Sequence, residues 1–97
     1  MPNSRRQDAM SIATTLRINL MAVANAYAAA RGIELTTLGG LMRRGNTNYF
    51  PNLAAGRVRM IAETYDECMV WFSTNWPKGT KWPTGIRRPR AKELSHG

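Results

Sequence analysis

Four arginines, Arg43, Arg44, Arg57 and Arg59, and no carboxylate occupy the stretch from Leu35 to Ala62. Within it lies a polar, turn-rich knot, Gly45-Asn46-Thr47-Asn48-Tyr49-Phe50-Pro51-Asn52. A guanidinium presents a planar fork of donors that matches phosphate, while amides and hydroxyls donate and accept at base edges. A surface built only for solvation usually mixes both charge signs, and here one sign is missing. The chemistry expected is recognition of duplex nucleic acid. Asn46, Thr47, Asn48, Tyr49 and Asn52 are the candidates for base contact, and Arg43, Arg44, Arg57 and Arg59 those for phosphate contact. Two plainer readings stand beside these. The asparagines could serve only as caps of a helix and its turn, and Arg57 and Arg59 could pair with the acids at 63 to 67.

A second basic group, Arg87, Arg88, Arg90 and Lys92, lies amid Pro and Gly near the C-terminus. It reads as a solubilising end, as a phosphate-binding arm that orders on DNA, or as a contact for a partner protein. Catalytic chemistry is not expected. The sole histidine, His96, is next to the last residue, and no second histidine, buried carboxylate pair or glycine-rich phosphate loop completes a nucleophile–base set. Cys68 is the single cysteine, so an internal disulfide and a cysteine-based zinc site are excluded, and no cofactor or metal is expected. At an inward helical position it reads as a small core hydrophobe.

The whole-chain balance agrees with a polyanionic partner: net charge is +8 and the pI near 10.9. Ninety-seven residues with 43% apolar content suit one small domain with a core. No apolar run approaches the roughly 20 residues of a membrane span, and Met1 to Gln7 lacks a secretory apolar segment. The expected home is the reducing cytoplasm, on the nucleoid, with no membrane and no small-molecule substrate.

The elements that must position these residues read as helices. Ile12, Leu16, Leu20, Val23 and Tyr27 fall within an arc of about 80°, which predicts a long amphipathic helix from Met10 to Arg31. Residues 1–8 form a flexible start, Ser4 with Gln7 or Asp8 offers a cap, and Gly32 supplies the exit. A second long helix is predicted from Val58 to Asn75, with Val58, Ile61, Tyr65, Cys68, Met69, Phe72 and Trp76 inward and Pro77 as its stop. Glu63, Asp66 and Glu67 give it an acidic outer face, expected to turn away from nucleic acid. Between the two lie short helices. One is capped by Thr36 or Thr37 and runs to Arg43, weakened by Gly39-Gly40; the other begins near Asn48, with Pro51 in its first turn and Gly56 at its end. Off the main arcs, Ile18, Met21, Met60, Val70 and Trp71 are either covered by Trp82-Pro83 or form a dimer seam, for which Ile18, Met21 and Trp71 are the candidates. Trp76-Pro77 and Trp82-Pro83 repeat a Trp-Pro pair, and residues 78–97 read as an extended basic tail.

Long helix, short helix, glycine turn, short helix, long helix is the order of a helix-turn-helix domain, here residues 9–77, whose second short helix enters the major groove. The segment Leu38 to Pro83, with Gly45 in the turn, Phe50, the Leu53-Ala54-Ala55-Gly56 exit and Trp71-Phe72-Ser73-Thr74-Asn75-Trp76-Pro77, resembles small repressor-type helix-turn-helix proteins of phages and integrative elements in alphaproteobacteria. That resemblance implies a Cro/C1-like fold and transcriptional control from a short operator. It departs from the pattern at the small residue midway along the first short helix, where Gly39-Gly40-Leu41 permits more than one register. The expectation is an all-α four-helix domain that binds double-stranded DNA sequence-specifically as a homodimer and acts as a repressor or dual regulator. The rivals are a small adaptor or antiactivator that caps a partner protein, and an excision accessory factor of a mobile element, which would more often carry a wing of strands.

Overall fold

Leu20, Val23, Ala24, Tyr27 and Ala28 recur at the spacing of one helical face, and all five are buried. They belong to α1 (Pro2–Arg31), which is followed by α2 (Leu35–Met42), α3 (Tyr49–Ala54) and α4 (Ala62–Thr74). The computed structural model describes residues 2–43 and 45–89, with side chains from Ile12 onward, and among these no strand occurs. α1 packs on each of the other helices, and α2 packs on α3. Leu38 of α2, Phe50 and Leu53 of α3, and Cys68, Met69 and Phe72 of α4 close the core around the α1 face. Burying each of the larger apolar side chains is worth about 1.5–3 kcal/mol. Tyr27 meets Phe72 edge to face at 5.5 Å, so the two long helices share an aromatic joint.

The structure departs from the sequence expectation chiefly at the starts of α1 and α4 and in the tail. α1 starts at Pro2 rather than near Met10, which puts Ser4, Gln7 and Asp8 inside the helix rather than at its cap. Proline suits a first helical position, and Arg5, Arg6, Gln7, Ala9 and Met10 are adequate helix formers with no breaker among them. At 1.5 Å per residue this helix is about 45 Å long, the same as the longest dimension of the molecule, 45 Å. Ile12, placed inward by periodicity, is 69% exposed, because residues 12–15 lie beyond the reach of the other helices and the core begins at Leu16.

α4 begins at Ala62, four residues later than Val58. Ile61 holds an extended conformation (φ −114°, ψ 156°), which reverses the inward and outward assignments of its neighbours: Met60 is buried and Ile61 is 48% exposed. α2 begins at Leu35 with Glu34 at its N-cap, so Thr36 and Thr37 lie inside the helix rather than at its cap, whereas α3 falls close to expectation, with Pro51 in its first turn. Both α1 and α3 end in the same paired-bond glycine motif. Ile33 N–H donates to Ala28 and Gly32 N–H to Ala29 in the first; Arg57 N–H donates to Asn52 and Gly56 N–H to Leu53 in the second.

The tail is the third difference. Residues 77–89 fold back on the end of α4 instead of running free. Trp-Pro-Lys-Gly-Thr (76–80) and Trp-Pro-Thr-Gly-Ile (82–86) make matching turns, each with its glycine at φ +83°. In each, the indole N–H donates to the carbonyl four residues on, Trp76 to Thr80 at 2.7 Å and Trp82 to Ile86 at 2.8 Å. The two indoles lie 4.8 Å apart. Ser73 hydroxyl donates to the Pro89 carbonyl at 2.6 Å, and Arg88 donates to the Ser73 hydroxyl and carbonyl at 3.0 and 2.9 Å. Proline pre-sets one turn angle and glycine supplies the positive one, so each pentapeptide closes locally.

Candidate nucleic-acid interface

Gly39 fixes how α2 meets the turn that leads into α3. It is buried, and a Cβ placed there would lie 2.5 Å from the Asn46 carbonyl oxygen, so only glycine allows this approach. Gly40 differs: its Cβ would meet only the Thr47 γ-methyl, at 3.5 Å. Of the pair, Gly39 is therefore the close-contact residue. Backbone bonds complete the turn. Arg43 N–H donates to Gly39 at 2.8 Å, Gly45 N–H to Gly40 at 3.0 Å, Thr47 N–H to Gly45 at 2.9 Å and Tyr49 N–H to Asn46 at 3.2 Å.

This turn is held by backbone, and its side chains are left outward. Asn46, Thr47 and Asn48 are exposed and Asn52 is half-buried. Asn48 occupies the N-cap position of α3, yet its side chain makes no capping bond. A side-chain cap would use that bond, and here it is not formed.

Tyr49 is a correction. It is 6% exposed, with its ring against Phe50 (5.1 Å, 88°), which puts it in the core and not among surface side chains that reach a base. Its hydroxyl is buried without a hydrogen-bond partner. Burial, reinforced by the neighbouring Cys68 thiol, pushes the phenol pKa up to about 12, against the opposing pull of Arg43. Burial also raises the pKa of the Cys68 thiol, which keeps it neutral and unreactive near pH 7.

The arginines divide. Arg57 and Arg59 are exposed, and among the described residues neither makes an ion pair with the acids at 63 to 67. Arg43 does: its guanidinium lies 4.9 Å above the Tyr49 ring and 4.0 Å from the Glu67 carboxylate. The acidic face of α4 is thus not wholly turned away, because Glu67 reaches the edge of the candidate site. Arg44 lies outside the described residues, as do Arg90 and Lys92 of the basic tail. Arg88 is committed to Ser73 and to the Trp82 ring, 5.3 Å from its guanidinium, which counters its assignment to a free arm. Arg87 is exposed. Of the candidate dimer residues, Met21 and Trp71 pack against the chain's own core, Trp71 edge to face with Tyr27 at 5.4 Å; Ile18 is 61% exposed.

Three participants escaped sequence reading: Gly39 as the contact residue, Tyr49 as the platform under Arg43, and Glu67 as its partner. Only the first left a signal in the chain, a glycine pair inside a helix where glycine costs stability. Among the described residues no helix is long and apolar enough to cross a membrane. The fold and site together define a small all-α domain with an outward polar turn bracketed by arginines. Comparison with protein-family models, curated proteins and solved structures finds no match to this chain.

Proposed function

We propose that this protein is a sequence-specific double-stranded DNA-binding regulator of transcription, a binding module rather than an enzyme, with α2, the turn and α3 acting as its helix-turn-helix unit. One observation carries the reading: Asn48, beside exposed Asn46 and Thr47, stands at the start of α3 with its side chain unspent on capping. An uncapped amide held on a rigid backbone turn is available for the bidentate contact that asparagine makes with adenine. Around it, Arg57 and Arg59 are exposed cations on an acid-free segment, suited to phosphate. In the proposed mechanism a homodimer in the cytoplasm occupies a short operator overlapping a promoter and blocks polymerase sterically, or from another site recruits it.

Selection from random duplex DNA followed by footprinting tests this directly. A palindromic consensus is expected, its half-sites about one helical turn apart. Absence of enrichment overturns the reading. The exposed Leu41 (61%) and Ile61 (48%) are the observation on the other side; a partner-protein adaptor would use such apolar side chains, and failure to enrich any duplex favours it.

A further inference from the structure

We propose that Glu67 is a built-in competitor for the Arg43 guanidinium, setting the cost that any duplex must meet to use Arg43 as a phosphate contact. The inference rests on the DNA reading above.

Arg43 leaves α2 at its C-terminal end, and its position is defined from two sides. Beneath it is the Tyr49 ring at 4.9 Å, itself immobilised in the core. At its edge is the Glu67 carboxylate at 4.0 Å. The side chains of Arg43 and Glu67 are 32% and 64% exposed. The pair is therefore open to solvent, and Glu67 is free to turn away. Tyr49 directly follows Asn48, so this cation sits beside the residues proposed to read bases.

A phosphate approaching Arg43 meets an anion already there. It must displace Glu67 from the guanidinium and tolerate a like charge nearby, a repulsive element that burdens every duplex regardless of sequence. The cation stays ordered for the approach, because the tyrosine face holds it whether or not the carboxylate does. For a chain of net charge +8, whose general attraction to DNA is large, a carboxylate at this point restrains sequence-independent binding where it adjoins the readout. The other acids of α4, Glu63 and Asp66, are exposed and do not pair with Arg43.

The test measures binding of the full chain to a random-sequence duplex over a range of salt. Glu67→Gln is compared with Asp66→Asn, which changes net charge equally, and each is repeated with Arg43→Gln. Glu67→Gln is expected to tighten binding about two- to fivefold at low salt, the scale of an exposed pair, with the gain shrinking as salt rises. Asp66→Asn should gain less, and Arg43→Gln should abolish the gain from Glu67→Gln. Equal gains from the two carboxamides, a gain that persists without Arg43, or no gain while the wild type binds would overturn the inference alone. If neither the wild type nor Glu67→Gln binds any duplex, the DNA reading falls and this inference with it.

Discussion

Two irregular stretches of this molecule solve the same problem in opposite ways. Residues 45–48 and residues 76–89 both lie outside helices, both carry glycine, and both are rich in polar or basic side chains. The first is held by backbone: a glycine pressed against the Asn46 carbonyl and a run of main-chain bonds. The second is held by its side chains, with two indoles, a serine and an arginine all bonded to carbonyls of the same region. Where backbone does the holding, side chains remain for a partner. Where side chains do it, a basic residue such as Arg88 is occupied, and its charge is a poor guide to ligand binding.

The sharpest way to break that contrast is at Gly39. Gly39→Ala should destabilise the fold by about 3 kcal/mol, since the new methyl meets backbone that cannot swing aside, and denaturant titration measures it. Its neighbour should respond with the opposite sign: Gly40→Ala gains about 1 kcal/mol of helix propensity against ordinary methyl contact. Equal losses at both positions would mean that the close approach is not what fixes the turn. Next in size, Trp82→Ala should cost about 2 kcal/mol through lost ring packing and the lost indole bond, while leaving duplex affinity within twofold; a large drop in affinity would show that the C-terminal turns take part in binding.

Asn48→Ala should do the reverse. Because the side chain makes no cap bond, stability should change by less than about 0.5 kcal/mol, while affinity for the selected site falls by about 1–3 kcal/mol and affinity for random duplex stays nearly constant. A gain comparable with that at Gly40 is expected at Tyr49→Phe, which removes a buried hydroxyl without a partner and should raise stability by about 1 kcal/mol at neutral pH. Its alkaline behaviour gives a second readout. With the folded pKa near 12 and the ordinary value at 10.0, the unfolded chain releases this proton first, so stability falls as pH rises from 10 to 12. Melting profiles across that window should fall less steeply for Tyr49→Phe than for the wild type.

Sequence periodicity served where packing follows period. Leu20, Val23 and Tyr27 on α1, and Cys68, Met69 and Phe72 on α4, were legible from spacing alone and are buried. Spacing misled where a helix outruns its neighbours, as at Ile12, or where extended backbone interrupts a helical repeat, as at Ile61, because periodicity records which face is apolar and not whether anything lies opposite it. In the candidate site, the polar turn and the place of Pro51 were legible from local chemistry. Tyr49 was not, since a tyrosine beside two asparagines looks like surface until the packing of Phe50 and Arg43 around it is known. The meeting of Arg43 with Glu67 is a tertiary event between distant segments, and no local pattern encodes it. Half of the tail was visible in the Trp-Pro pair; the glycine three residues after each tryptophan, which turns the pair into a repeated structural unit, completes it.

The chain's three tryptophans all belong to one end of the molecule. Trp71 and Trp76 flank Tyr27, at 5.4 and 6.1 Å, and Trp82 rests on Trp76; the α2–α3 segment contains none. Ultraviolet-excited emission from this protein consequently reports the joint between α1, the end of α4 and the folded-back tail, and hardly registers the polar turn. Emission and far-ultraviolet dichroism thus watch different parts of the same chain, and a gap between their unfolding curves would time the release of the tail relative to the melting of the helices.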